Sequence, residues 1–421
     1  MMQLNIQRDN ESKGAYIMDN HSTLTQTVTA KYGKKYDVIV IGGGTAGASA
    51  ALAAARQNRQ VLLIEKGAML GGLATMGLIV FYNPGIDDAN GRRLVGGISE
   101  ELLHLSIKYS YGSLPEAWKY RTERIDGKQR YQTVFSPTAF ALALNDLLTR
   151  SGVQILYDAL FCDPVMDGRR CAGVAVETKA GRWFYEADCF IDCSGDADLF
   201  SRAGAKCVQR RENDLSYWAL STSLNRMRDA VEKDDIGRAI HVEMLGVSPY
   251  EKGYVAGKYP YYSIETPEEV SGFIRRGQEY AFEKLQSFDR TRECLVTIPS
   301  MADYRKTRAI VGLYTLSEAD RDQHFEDSVG CIREDLDPYL LEIPYRCLVS
   351  EELDNVIAAG RIVSCDGTPR DTIRLIAVCA QTGEAAGIAS ALVCETGQTV
   401  RSLDVRELQS RLIARENILH F

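Results

Sequence analysis

An α/β fold on a parallel sheet, joined to a second unit of mixed α+β character, is what this sequence predicts, and three observations lead there. A strand-length, mostly apolar run, Tyr36-Asp37-Val38-Ile39-Val40-Ile41, leads straight into Gly42-Gly43-Gly44-Thr45-Ala46-Gly47. An alanine-rich stretch over 48–56 follows, and its small side chains suit a helix packed close to a sheet. A second apolar run, Val61-Leu62-Leu63-Ile64, then ends at Glu65. Strand, glycine turn, helix and strand within roughly 30 residues is the length a parallel crossover requires.

The rest of the chain extends this pattern. At 421 residues it exceeds the roughly 250–300 at which single cores stop growing, so two domains are expected. The first 35 residues are polar and aperiodic and read as a flexible tail. Residues 36–110 read as the first part of a nucleotide-binding domain, and 111–150 as a cap piece with a connecting helix that Ser136-Pro137 starts and Arg150 ends. The second part, 151–205, reads as several strands with turns at Asp167-Gly168 and Ala180-Gly181. Its last strand, Cys189–Cys193, stops at Ser194-Gly195-Asp196. Residues 206–340, more charged and with Tyr259, Tyr261 and Tyr262 clustered, read as the substrate domain. The third part, 341–421, holds a short strand, Asn355–Ala359, that ends at Gly360-Arg361, and a long small-residue helix over 374–395.

Composition excludes several classes. Hydrophobic residues are 45% and charged residues 25%, an ordinary globular mix. No apolar run approaches the roughly 18 residues of a membrane span, and the N-terminal residues lack the apolar centre of a secretory signal. A formal charge of -8 argues against nucleic acid held by the overall field, and no membrane partner is expected. Eleven cysteines, an odd number and several inside apolar stretches, read as reduced, mostly buried thiols in a cytoplasmic protein. Cys189 and Cys193 read as core neighbours rather than a redox pair. There is no CxxC, and His21, His104, His241, His324 and His420 are far apart in sequence, so no metal site is expected.

The glycines have separable tasks. Gly42 permits the tight turn, Gly44 lets backbone approach a pyrophosphate, and Gly47 lets helix and strand pack closely. The helix start offers unpaired N–H groups and partial positive charge to phosphates, with Thr45 and Ala46 in its first turn. Glu65 ends the second strand, where a carboxylate accepts hydrogen bonds from ribose hydroxyls and repels a 2′-phosphate. The motif alone leaves NAD and FAD both open.

Three later segments carry a resemblance. Gly71-Gly72-Leu73-Ala74-Thr75 looks like the second diglycine segment of FAD enzymes, with Leu73 where an arginine is common. Cys193-Ser194-Gly195-Asp196 resembles the strand end that passes the FAD in those enzymes. Gly360-Arg361 and the helix containing Thr382-Gly383-Glu384-Ala385-Ala386-Gly387 resemble their C-terminal flavin segment. From about 36 to 395, the chain resembles the FAD-dependent oxidoreductases with the two-domain fold of the glutathione reductase and fumarate reductase superfamily. The resemblance implies a Rossmann-like FAD-binding domain, a parallel sheet with a β-meander, and an FAD held by Gly42, Gly44, Thr45, Ala46, Gly47, Glu65 and Lys66. It adds Gly72, Leu73, Ala74, Thr75, Leu160, Phe161, Cys193, Ser194, Gly195, Gly360 and Arg361. An isoalloxazine gains negative charge on reduction, so the last helix, through Arg374 and Leu375 in its first turn, would favour the reduced form. Glu384 is too deep in the helix to share that role.

The expected reaction is oxidation of a small polar substrate by hydride transfer to flavin N5, with an electron acceptor the motifs do not name. Arg305, Arg308 and Arg370 are candidate substrate-binding groups whose guanidinium forks suit carboxylates or phosphates, and an ion pair elsewhere is the plain alternative. Asp371 and Asp366 are candidate bases, against an Asx turn at Asp366. Family members often carry a histidine where this chain has Gly367. Cys365 suits a small packing residue, or a covalent flavin link. Tyr82, Asn83, Tyr261 and Tyr262 line a cavity or pack a core. Anionic, sugar-like and aromatic substrates are all compatible, and homodimerisation stays open by family analogy. A single-unit NAD dehydrogenase would not need the later segments, and a disulfide reductase would need a cysteine pair that 66–100 lacks. A thiazole-synthase-like biosynthetic enzyme or flavin scaffold without net redox turnover is the remaining alternative.

Overall fold

The computed structural model describes residues 28–82, 87–88, 92–114, 133–209, 213, 215–246, 261–333 and 339–421. The strands expected around the glycine turn belong to one eight-stranded sheet. They are β1 (Lys31–Tyr32), β2 (Tyr36–Ile41), β3 (Val61–Ile64), β4 (Gln154–Leu156), β5 (Leu160–Asp167), β6 (Arg170–Thr178), β7 (Gly181–Asp192) and β8 (Val356–Ala358). The carboxyl half of β7 pairs in parallel with β2 on one side and β8 on the other. Beyond β2 the parallel set continues through β3 and β4. The amino half of β7 pairs antiparallel with β6, and β6 with β5, which makes the expected meander. At 12 residues, β7 is long enough to serve both halves. β1 lies in the stretch expected to be a flexible tail, yet Lys31 and Tyr32 pair with Trp183 and Phe184. Covered on both faces, β3 is buried at every position, which is why it reads as an unbroken apolar run.

The longer helices are α1 (Thr45–Ala55), α2 (Gly97–Lys108), α3 (Pro137–Arg150), α4 (Pro267–Ser287) and α5 (Ile376–Thr396). The α3 start is as the sequence predicts, with the Ser136 hydroxyl accepting from Ala139 N and Pro137 in the first turn. Its Phe140, Leu144 and Leu148 join the main core beside α1 and α2. So do Val329, Ile332, Leu341 and Ile343 of the ribbon formed by Ser328–Arg333 and Leu340–Pro344. The main core therefore reaches into stretches expected to cap the substrate.

α1 and α5 cross with almost nothing between them. A Cβ on Gly383 would lie 2.2 Å from the Ala46 carbonyl oxygen, and one on Gly387 would lie 2.3 Å from that of Ala50. The Ser49 hydroxyl donates to Ala380 O at 2.6 Å across the same contact. These glycines serve backbone approach between helices, the reason α1 is alanine-rich all round. The α5 helix is apolar and long enough to cross a membrane, but 89% of its most apolar window is buried inside the protein, where it acts as the central core helix.

Glu384 ties α5 to α2. Its side chain is fully buried, and Oε2 accepts from Ile98 N at 2.7 Å in the first turn of α2. A second, smaller layer consists of the sheet Ser216–Ser223, flanked by His241–Gly246 and Glu293–Thr297, with α4 packed on it. Leu215, Phe273 and Tyr304 form its local core, with Phe273 and Tyr304 stacked at 4.3 Å.

Two outcomes are expected. Gly383→Val gains nothing that offsets forcing the two helix backbones apart, so thermal unfolding should show a loss of about 2–3 kcal/mol. Burial lifts the Glu384 carboxyl from 4.5 to about 7, against the opposing hydrogen bonds. The folded state then holds the proton more tightly than the unfolded one, so Glu384 costs stability as pH rises through that window. Glu384→Gln keeps the acceptor for Ile98 and removes the charge. It should exceed the native chain by roughly 1–3 kcal/mol at pH 8 and differ little near pH 4.5, as measured by calorimetry at both values.

Candidate active-site cavity

The parallel strands all point one way, so their carboxyl ends share one edge, and a cavity of about 810 Å³ opens there. That is toward the top of the roughly 300–1,000 Å³ typical of ligand pockets. Four strand ends form its floor through Gly42, Glu65, Cys193 and Gly360. This is where an open parallel sheet binds its ligand.

The glycine turn opens on the cavity through Gly42, Gly44, Thr45 and Ala46. Gly42 has φ +95, and a Cβ there would lie 2.4 Å from Cys193 O. Gly47 is not in the wall; its Cβ would lie 1.8 Å from Gly42 O, so it serves packing of the helix on the turn. At Gly44 an added Cβ meets no protein atom within 4 Å. Its missing side chain relieves no clash inside the protein and instead leaves room in the cavity. Glu65 is 2% exposed, with Oε2 accepting from Gly43 N at 2.7 Å and Oε1 from Gly67 N at 2.6 Å. Burial pushes its carboxyl up while these two amide bonds oppose the shift. Each oxygen keeps a lone pair for a further donor.

Gly72, Leu73 and Ala74 line the cavity, as do Lys66, Leu160 and Phe161. Thr75 does not; its hydroxyl turns away and donates to Leu70 O at 2.6 Å. Cys193, Ser194, Gly195 and Asp196 follow from the end of β7. Their turn is held by Asp192, which the sequence reading passed over as part of the strand. Asp192 is fully buried; Oδ1 accepts from Ser194 N and Oδ2 from Leu199 N and Phe200 N. Burial lifts this carboxyl to about 6 despite those bonds. Asp196 pairs with Arg361 at 3.0 Å and accepts from the Thr307 hydroxyl at 2.7 Å. Burial pushes Asp196 up, but the Arg361 and Lys66 charges and these hydrogen bonds outweigh it and hold it below the usual range.

The opposite wall is the start of α5. Arg361, Arg374, Leu375, Ile376 and Cys379 line the cavity there. The first-turn amides of an α-helix have no intrahelical acceptor, so two helix N-termini, of α1 and α5, open on one space.

The roof comes from the second layer: Trp218, Met244, Ile274 and Tyr304, with Asp303 and Arg305 among them. Ser300 N donates to Met76 O at 2.8 Å, which docks this segment on the diglycine loop. Asp303 is 4% exposed, neither carboxylate oxygen makes a hydrogen bond, and Oδ2 lies 3.5 Å from Arg305 Nε. Arg305 also donates to Ser216 Oγ at 2.7 Å. No sequence motif singles out Asp303; its one signal is an acid two residues ahead of Arg305.

The other candidates fall outside the wall. Arg308 pairs with Asp198 at 2.7 Å and donates to Ser201, the ion-pair alternative. Arg370 is buried away from the cavity. Asp371 pairs with Lys306 at 2.7 Å, and Arg374 lies 3.6 Å from it. The Asp366 side chain accepts from Gly367 N within its own turn, and Cys365 packs in the main core. Tyr82 packs on Phe135, and Tyr262 sits edge-on to Phe273. Tyr261 is outside the wall too, while Asn83 and Tyr259 fall outside the described residues.

The family model for FAD-dependent oxidoreductases matches residues 37–259 and 243–412. The chain belongs to that family. It is therefore an enzyme with FAD as cofactor, which decides between the nucleotides the glycine motif left open. A thioredoxin reductase of Bacillus subtilis is 35% identical over 96 residues, which are 23% of this chain and 28% of that protein. One from Listeria innocua is 35% identical over 101 residues, 24% of this chain and 29% of that protein. The chain thus matches less than a third of the length of these relatives. Among solved structures, p-nitrophenol 4-monooxygenase of Pseudomonas putida superposes with a TM-score of 0.48 at 13% identity, covering 92% of this chain and 87% of that one. A flavoprotein/dehydrogenase of Cytophaga hutchinsonii gives 0.44 at 16% identity, covering 90% and 84%.

The cavity suits the family's cofactor in one respect that a substitution tests. Gly44→Ala should leave the unfolding temperature of the apoprotein unchanged within a few degrees, because the methyl meets no protein atom. FAD affinity, measured by fluorescence titration, should fall about tenfold or more, because the methyl projects into the cavity.

Proposed function

We propose that this FAD-dependent oxidoreductase dehydrogenates a small, polar, hydroxyl-bearing substrate of no net charge, with Asp303 as the proton acceptor. In this reading the pyrophosphate lies against Gly42, Gly44, Thr45 and Ala46, and Glu65 accepts from the ribose, with Lys66 beside it. Gly72, Leu73, Ala74, Leu160, Phe161, Cys193, Ser194 and Gly195 border the same cofactor. Gly360, Arg361, Arg374 and Leu375 hold its flavin end. When bound, FAD supplies a hydride acceptor at N5.

The observation that carries the reading is a buried carboxylate, without a hydrogen-bond donor, in the wall of the cavity on which both helix starts open. Asp303 can receive the proton of a substrate hydroxyl as the carbon–hydrogen bond is broken, and Arg305, 3.5 Å away, stands beside it. Trp218, Met244, Ile274 and Tyr304 make that end apolar, with Met244 and Ile274 partly open to solvent. Charge pairing speaks against an anionic substrate. Arg305 is offset by Asp303, Arg361 by Asp196, and Arg308 by Asp198, so none of these guanidinium groups is left to capture a carboxylate.

Anaerobic mixing of the FAD-loaded protein with neutral alcohols and polyols, amines, and carboxylates tests this, with loss of the visible flavin band as the signal. Bleaching by a neutral hydroxyl compound is expected; bleaching by carboxylates alone would defeat the reading. With that substrate, Asp303→Asn should retain FAD but bleach about 100-fold or more slowly.

A further inference from the structure

Far from the cavity wall, two histidines distant in sequence come together around one carboxylate. His324 precedes the strand Ser328–Arg333, and His420 is next to the last residue, yet their rings lie 4.5 Å apart. Both turn Nδ1 toward Oε1 of Glu342, at 3.4 Å from His324 and 3.0 Å from His420. The three donor atoms all lie within 4.8 Å of one another.

Two features separate this cluster from an ordinary ion pair. Glu342 is 1% exposed, and among the described residues its only ion-pair partners are these imidazoles; no lysine or arginine pairs with it. A buried carboxylate is costly without a cation. In addition, His420 Nδ1 is shielded from solvent and makes no hydrogen bond although Oε1 is only 3.0 Å away. The two acceptors approach without a proton aligned between them. Around a tetrahedral zinc with bonds of roughly 2.0–2.1 Å, neighbouring ligand atoms stand about 3.3 Å apart, and the two observed separations bracket that value.

The surroundings already fix the donors. Phe325 N donates to the other Glu342 oxygen at 2.7 Å, and the Ser328 hydroxyl donates to Leu419 O at 2.6 Å, pinning the residue before His420. The His324 side chain is 57% exposed, which leaves the outer position open to water.

We propose that His324, Glu342 and His420 bind one divalent transition cation of the zinc class, with water as fourth ligand, joining the C-terminal segment to the Ser328–Arg333 and Leu340–Pro344 ribbon. Two imidazoles and a carboxylate suit zinc, cobalt, nickel or copper and offer magnesium or calcium little. The site stands apart from the flavin chemistry and does not rest on it.

The FAD-loaded full chain, stripped with a chelator and titrated with zinc chloride, tests this by calorimetry and zinc-edge X-ray absorption. One zinc per chain is expected, with imidazole nitrogen and oxygen donors near 2.0–2.1 Å and no sulfur. The unfolding temperature should rise with zinc concentration. The double variant His324→Ala/His420→Ala changes two partly exposed side chains and should keep its flavin spectrum while zinc affinity falls about tenfold or more. No zinc uptake by the native chain, sulfur ligation at the edge, or equal affinity in the double variant would each overturn the proposal.

Discussion

Everything in this molecule depends on two helix backbones being allowed to touch. Gly383 and Gly387 face the Ala46 and Ala50 carbonyls, four residues apart on each side, so the crossing repeats its small-residue contact once per turn. Because α1 follows β2 across the glycine turn and α5 follows β8 after residues 359–375, that contact brings both amino ends to one edge of the sheet. A larger residue at the crossing would separate the ends as well as loosen the core. The Gly360 amide, which donates to the Thr382 hydroxyl, and the Ser49–Ala380 hydrogen bond hold the same register. Core packing and cofactor geometry are thus one constraint.

Charge inside the cavity is arranged differently from what arginine-rich motifs suggest. Arg305, Arg361 and Arg374 each have an acidic partner, and such pairs contribute little net stability while fixing orientation. What remains uncompensated in the wall, among the described residues, is Lys66, at the end of β3, and the partial positive charge of the helix starts, which falls off within a turn. Attraction for phosphate is therefore concentrated at the helix ends and at Lys66. The roof is left to discriminate by shape and by a single carboxylate.

Local pattern reveals most of the scaffold and less of the chemistry. The β2 and β3 runs, the glycine turn and the Ser136-Pro137 helix start were legible because each is decided by neighbours in sequence: burial on both faces, a positive φ, a cap. Gly47 serves packing, as its place in the turn implies, whereas Gly383 and Gly387 looked like parts of a cofactor segment but answer to backbone packing, since a missing side chain looks alike whether it admits a ligand or another helix. Asp303 and Asp192 could not be singled out, because what distinguishes them is burial and hydrogen bonding set by distant segments. Arg308, Arg370 and Asp371 failed as wall residues for the converse reason: proximity to a motif in sequence did not survive folding. His324 and His420 meet only because the ribbon and the C-terminal segment dock on the same core.

The shared strand β7 has a consequence for biogenesis. Its carboxyl half is flanked by β2 from the start of the sheet and by β8 from near the end of the chain. Such far-apart pairing is slow to form, and synthesis delivers β8 and α5 after every other strand of the sheet. While the chain is still emerging from the ribosome, β2, β3 and β7 can assemble, but one flank of β7 and the sheet face that α5 will cover stay open to water. The nascent protein must carry that sticky, half-built edge until its closing segment is released, and until then there is no chamber for the flavin to enter.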